Sequence, residues 1–232
     1  MLILLSLPTL GLIVALFGAP VLLLASRRFG VDPFSLWTRA GLWVLAATVV
    51  TIAVVSVDDW RNGLGLASNP VYAVVTGSIA GLVILAGWPV LQRLQRRLGG
   101  SMAANTTLLE SLAALSPSRR ALLVATAAVT EEVLFRGYAI GVGQSVLGGP
   151  WQAFALSLVV FVAAHFRWGV GHLLTVLWAG AMLSLLFVAT GSLVACIVAH
   201  FVVDAVGVFI APWAIAARAR RLAEADRKAV PP

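Results

Sequence analysis

Apolar runs of membrane-spanning length follow one another through most of this chain, with only short polar connectors between them. Lipid offers the backbone no hydrogen-bond partner, so a segment of about 20 apolar residues that enters a bilayer must satisfy its own amides as a helix. About seven such runs are expected, near Leu2–Ala25, Leu42–Val57, Val71–Leu91, Pro117–Val142, Trp151–Phe166, His172–Val188 and Leu193–Trp213. The fold expected is an all-α polytopic transmembrane helical bundle, with a core of about four helices. The first run has no basic segment before it and is longer than a signal-peptide core, so it is expected to be retained as a span.

The connectors divide the chain further. Residues 1–98 read as N-terminal flanking helices, 99–116 as an interfacial connector, 117–213 as the helical core and 214–232 as a basic tail. In the connector, Leu108, Leu112 and Leu115 share one helical face, and Thr107 with Glu110 has capping-box spacing, which predicts a short helix lying on the membrane surface. Ser116 followed by Pro117 predicts an N-cap and first helical position for the fourth run, and Gly148, Gly149 and Pro150 predict a tight turn into the fifth.

A net charge of +7 raises the question of nucleic acid. The basic residues instead sit in clusters at the ends of alternate runs, where anionic lipid and the positive-inside rule account for them, so the lipid bilayer is expected as the partner and nucleic acid is not. Connectors after the first, third, fifth and seventh runs hold nearly all the Lys and Arg, and those after the second, fourth and sixth hold only Arg61. This alternation predicts an inner-membrane protein with its N-terminus outside and its C-terminus cytoplasmic. Six tryptophans, Trp37, Trp60, Trp88, Trp151, Trp168 and Trp213, fall near the expected interfaces. Gly77 with Gly81, and Gly137 with Gly141, have the spacing that lets helices approach closely. Cys196 lies alone in an apolar run, which leaves neither a disulfide framework nor a cysteine metal site.

Against this background the stretch Ala127–Gly137, AAVTEEVLFRG, stands out. Each charge at mid-membrane costs roughly 2.5–3.5 kcal/mol on insertion scales, so Glu131, Glu132 and Arg136 call for a use. Glu132 and Arg136 are four apart and can pair on one helical face, leaving Glu131 about 100° around the helix. His165 near the end of the fifth run, and His200 with Asp204 in the seventh, are the other polar groups within spans. Depth along the helices allows all of them to meet in the cytoplasmic half. His172, at the start of the sixth run, reads as an interfacial residue.

A carboxylate and an imidazole in a pocket of low dielectric can hold a water and take its proton, and a second imidazole can donate to a developing oxyanion. That is a hydrolase without a serine or cysteine nucleophile. Two histidines and two carboxylates also suit zinc, although no HExxH helix is present. A non-catalytic scaffold or immunity-type partner protein, in which the polar cluster only locks the bundle, is the alternative from another class. A proton-coupled transporter is the third.

The residues resemble the CAAX prenyl protease type 2 and bacteriocin-processing (CPBP, Abi) family of intramembrane proteases. That family is marked by EExxxR, FxxxH and HxxxN or HxxxD on successive core helices. Here Glu131, Glu132 and Arg136 are followed by Phe161 with His165 and then His200 with Asp204, in that order. The resemblance implies an endopeptidase acting on a membrane-associated peptide or protein near the cytoplasmic leaflet. Glu131 and His165 would activate a water, His200 with the residue at 204 would stabilise the oxyanion, and Glu132, Arg136 and Phe161 would support the site. No cofactor is expected; in the zinc variant, Glu131, His165, His200 and Asp204 would be the ligands. Asp204 stands where the eukaryotic prenyl proteases carry Asn, and an ionised Asp cannot donate, so it is protonated, orients His200 or binds a metal.

Overall fold

The computed structural model describes residues 6–32, 34–97, 112, 114–166 and 170–210, with residues 213, 217 and 220 beyond them and residues 170 and 171 in backbone only. All the elements among these residues are helical. They are α1 (Leu7–Arg28), α2 (Leu36–Ser56), the single turn α3 (Trp60–Gly63), α4 (Pro70–Arg97), α5 (Pro117–Glu132, continuing as a π-helix over Val133–Val142), the single turn α6 (Gln144–Leu147), α7 (Pro150–Ala164), α8 (Val170–Thr190) and α9 (Leu193–Ala205, continuing as a π-helix over Val206–Ile210). Five of the helices, α1, α2, α4, α8 and α9, are long and apolar enough to cross a membrane, and α7 is a shorter apolar helix. This is an integral membrane protein.

Hydroxyl caps set the helix starts. Ser6, Ser35, Ser116 and Ser192 each accept a hydrogen bond from a backbone N–H three residues on, satisfying one of the donors that a helix start leaves over. Gly148 and Gly149, both at positive φ, make the turn ahead of Pro150. Several helices outrun the expected apolar stretches, because a charged side chain can continue a helix while its head reaches the interface. α4 runs on to Arg97, and α2 begins at Leu36, so that Arg39, expected in a loop, is a buried helical residue donating to the Phe34 carbonyl at 2.5 Å.

At the centre lies α5. All ten residues from Val133 to Val142 are buried, and α1, α2, α7, α8 and α9 pack around this π-helical part. Its first half, Pro117–Glu132, packs against α2 and α9 and hardly touches α7 or α8. The π-helix ends against the connector that carries α3, where Leu64 is fully buried. There the Leu193 N–H donates to the Gly65 carbonyl at 2.8 Å and the Ser68 and Ser192 hydroxyls pair at 2.7 Å. This inserted connector closes the end of the bundle opposite Ser116. The connector helix expected around Leu108, Thr107 and Glu110 lies outside the described residues, as do Trp168 and the tail's basic residues other than Arg220. Leu112 and Leu115 do pack together with Val124 and Val208. Of the expected interfacial tryptophans, Trp37 and Trp213 are largely exposed, whereas Trp88 packs against the cluster of Ile84, Ala199 and Val203.

The Gly77 and Gly81 pair works as spacing predicts, letting α4 lie against α9. A Cβ at Gly77 would stand 2.4 Å from the Ala195 carbonyl oxygen, a backbone atom that cannot turn aside. Gly77→Ala is therefore expected to destabilise the bundle by about 1–3 kcal/mol, the usual range for overpacking a closed interface, seen as a lower thermal midpoint in detergent.

Candidate active site

Consecutive positions on α5 give the two carboxylates opposite circumstances. Glu132 is fully buried and committed: its Oε1 accepts from Arg136 Nη1 at 2.9 Å and from His200 Nδ1 at 2.7 Å. Its Oε2 is buried with no partner among the described residues. Glu131 is only half-buried, and among the described residues no hydrogen bond or ion pair engages its carboxylate. It lies within electrostatic reach of His165, His200 and Asp204.

Arg136 joins the core helices. Its guanidinium is fully buried and donates from Nη1 to Glu132, from Nη2 to the Gly180 carbonyl at 3.0 Å and from Nε to the Ser184 hydroxyl at 3.3 Å. It also stacks over the Phe161 ring at 4.5 Å. One side chain on α5 thus reaches α7 and α8 directly, and α9 through Glu132 and His200. Only arginine offers this many donors in a fixed fork.

The FxxxH spacing has a local reason. His165 closes α7, and its Nδ1 stands 2.7 Å from the Phe161 carbonyl oxygen one turn earlier. A carbonyl only accepts, so Nδ1 carries the proton and Nε2 is the ring's accepting side. The Phe161 and His165 rings are also in contact, with centroids 4.7 Å apart, and Phe161 meets Phe135 edge-on at 5.1 Å. Phe161 therefore fixes the tautomer and the orientation of His165 and forms one wall beside Arg136.

On α9 the HxxxD pair works likewise. With Nδ1 against Glu132, His200 turns Nε2 toward Asp204 Oδ2 at 3.4 Å, a looser contact than a direct hydrogen bond. Asp204 thus faces His200 from one turn further along α9. The His200 side chain is 10% exposed and that of Asp204 30%, so the cluster opens progressively from Glu132 outward.

Glu131 on α5 thus lies within electrostatic reach of His165 at the end of α7 and of His200 and Asp204 on α9. His172, read from the sequence as interfacial, stands in the first turn of α8 within electrostatic reach of His165 and Asp204. The signal that points to it is positional: His172 follows the end of α7 by only a few residues in the sequence and opens the helix that packs against α7. Cys196 is buried and directs its thiol to the Leu183 carbonyl, away from any reactive role. Among the described residues no three His, Cys, Asp or Glu side chains gather into a metal-binding set, and His200 already has one nitrogen engaged by Glu132.

Residues 113–206 match the family model described as Rce1-like, type II CAAX prenyl endopeptidase. The matched segment contains every motif residue named above, and over that segment the chain is similar to this family. No curated protein and no solved structure matches the chain.

Proposed function

We propose that this chain, Rce1-like over residues 113–206, hydrolyses a peptide bond of a membrane-associated peptide or protein near the cytoplasmic leaflet, using a water activated by Glu131 and His165. The observation that carries this reading is the contrast between neighbours. Glu132 has both its partners, Arg136 and His200, in place, while Glu131 stands uncommitted and partly open within electrostatic reach of two imidazoles. A structural lock needs one carboxylate here, and a second, unpaired one inside a bundle is costly unless it works.

A water between the Glu131 carboxylate and His165 Nε2 would be held by two accepting groups, and Glu131 takes its proton as the oxygen attacks the substrate carbonyl carbon. His200, oriented by Glu132 on one side and Asp204 on the other, faces the place where charge develops on the carbonyl oxygen. Arg136 and Phe161 hold the walls. The first half of α5, which makes few contacts with α7 and α8, lies at the Ser116 end of the bundle, and the distribution of basic residues supports a cytoplasmic setting for that end, with the N-terminus outside and the membrane the plasma (inner) membrane. The substrate is a peptide already associated with that membrane, and the CAAX-type carboxyl terminus is the class the family match favours.

The mechanism runs without metal, and this is tested by chelation. Membranes containing the protein, treated with a strong zinc chelator, are expected to keep generating protein-dependent new peptide termini at an unchanged rate. Loss of those termini on chelation and their return with zinc would replace the carboxylate mechanism with a zinc-activated water.

A further inference from the structure

The starts of α2 and α5 bring together more positive charge than the described residues balance. Arg39, in the first turn of α2, is buried and commits one donor, Nη2, to the Phe34 carbonyl. Asp32 acts on it only through space, since its carboxylate takes the Phe34 N–H at 2.9 Å, and among the described residues no carboxylate stands at ion-pair distance from Arg39. The other charge within its electrostatic reach has the same sign. That is Arg119, in the first turn of α5, exposed and with no side-chain hydrogen bond or ion pair among the described residues. Its neighbour Arg120 is held elsewhere, donating from Nε to the Leu115 carbonyl at 3.1 Å and lying over the Phe209 ring of α9 at 5.5 Å. Two cations thus share the α2–α5 seam with one indirect counter-charge, an arrangement that an anion would relieve.

One turn further along both helices the seam is apolar and open. The Trp43 indole, four residues on from Arg39, donates to Thr126 Oγ1 at 3.3 Å, and Thr126 lies two turns on from Arg119. Residue numbers rise together along the two helices, so α2 and α5 run side by side in the same direction. Beside that bond Trp43 is 45% exposed, and Leu122, one turn on from Arg119, is 43% exposed. We infer that the α2–α5 seam is a binding site for an anionic phospholipid, its phosphate on Arg119 in the field of Arg39 and an acyl chain along Leu122 and Trp43. A guanidinium fork matches two phosphate oxygens, and the order of groups from the helix starts inward, cation and then hydrocarbon, is the order in a phospholipid. A zwitterionic headgroup would bring its own cation back beside the two arginines, so a net-negative headgroup is preferred. The first half of α5 packs on α2 and α9 and hardly touches α7 or α8, so a lipid across this seam braces the helix that carries Glu131 and Glu132. None of these arginines or apolar residues belongs to the candidate active site, so the lipid site stands or falls apart from hydrolysis.

Native mass spectrometry of the full-length protein, released from nanodiscs holding phosphatidylglycerol and phosphatidylcholine in equal amounts, reads the site directly. The wild type is expected to retain phosphatidylglycerol in clear preference to phosphatidylcholine. Arg119→Gln, at an exposed and unpaired position where the fold loses nothing, should lower that preference about fivefold, the factor that corresponds to about 1 kcal/mol for one arginine at an anionic surface. Arg97→Gln removes an exposed arginine from the end of α4 and should leave the preference unchanged. Leu122→Gln should reduce the lipid retained without altering the helical content. Equal retention of the two lipids by the wild type, or equal losses in Arg119→Gln and Arg97→Gln, would overturn the site and leave only general attraction between a basic protein and an acidic membrane. Thermal midpoints in detergent separate a lipid from a soluble anion. Added phosphatidylglycerol should raise the wild-type midpoint by about 2–4 °C and that of Arg119→Gln by much less, while inorganic phosphate should raise neither. A rise with inorganic phosphate equal to that with phosphatidylglycerol would assign the arginines to a soluble phosphate compound and overturn the lipid.

Discussion

Arg136→Leu is expected to lose most of the fold's stability, and with it the folded yield in membranes. The substitution removes the guanidinium that sits between α5, α7 and α8 and leaves the Glu132 carboxylate fully buried beside His200 alone. Removing one partner of a buried ion pair costs about 3–5 kcal/mol, because the other charge is left uncompensated. The Ser184 hydroxyl and the Gly180 carbonyl lose their donors as well. Against a usual total of about 5–15 kcal/mol, that is enough to unfold much of the population. Lysine should not rescue it, since one ammonium cannot reach the carboxylate, the carbonyl and the hydroxyl in the guanidinium's plane. The double variant Glu132→Leu with Arg136→Leu should recover part of the loss, as both charges are then gone. Thermal denaturation in detergent, read beside size-exclusion profiles, checks the three variants.

Glu131→Gln should do the reverse, sparing the fold and ending the chemistry. Glutamine fills the same space, and no hydrogen bond or ion pair among the described residues is lost, so the thermal midpoint should move by less than about 0.5 kcal/mol equivalent. The rate should fall by about 10²–10⁴, the contribution of a positioned general base. Those two outcomes together would assign stability and activity to adjacent side chains. Substitutions at 132 and 136 register first in the melting curve, and substitution at 131 registers only in turnover.

The placement of these neighbours was partly legible in the sequence. Hydropathy located the helices because lipid admits no other backbone solution. The i,i+4 spacing of Glu132 with Arg136, Phe161 with His165 and His200 with Asp204 placed each pair on a common face, and all three pairs are in contact. Less accessible was whatever depends on how helices pack against one another. The bond from Glu132 to His200 joins residues 68 apart in the chain, and no local pattern encodes it. The π-helical stretch from Val133 to Val142 is set by burial on every side, where neighbours on five helices decide the winding and intrinsic propensity does not. Leu64 belongs to a short polar connector, yet it is fully buried because the connector folds into the end of the bundle beside Gly141. Arg39 reads as a loop charge from composition, while Ser35 caps a helix that already includes it. His172 lacks any motif and comes within electrostatic reach of His165 and Asp204 through the packing of α8 against α7.

The central claim is that Glu131 is the base of a peptide-bond hydrolysis. Its most direct test compares peptide termini by mass spectrometry in membranes from cells making the wild-type protein or Glu131→Gln at equal levels. The account predicts a defined set of new termini with the wild type and their absence with the variant, the flanking residues giving the specificity. The same termini appearing at equal rates with both proteins, each folded and at the same level, would contradict it and leave the buried cluster as a structural lock.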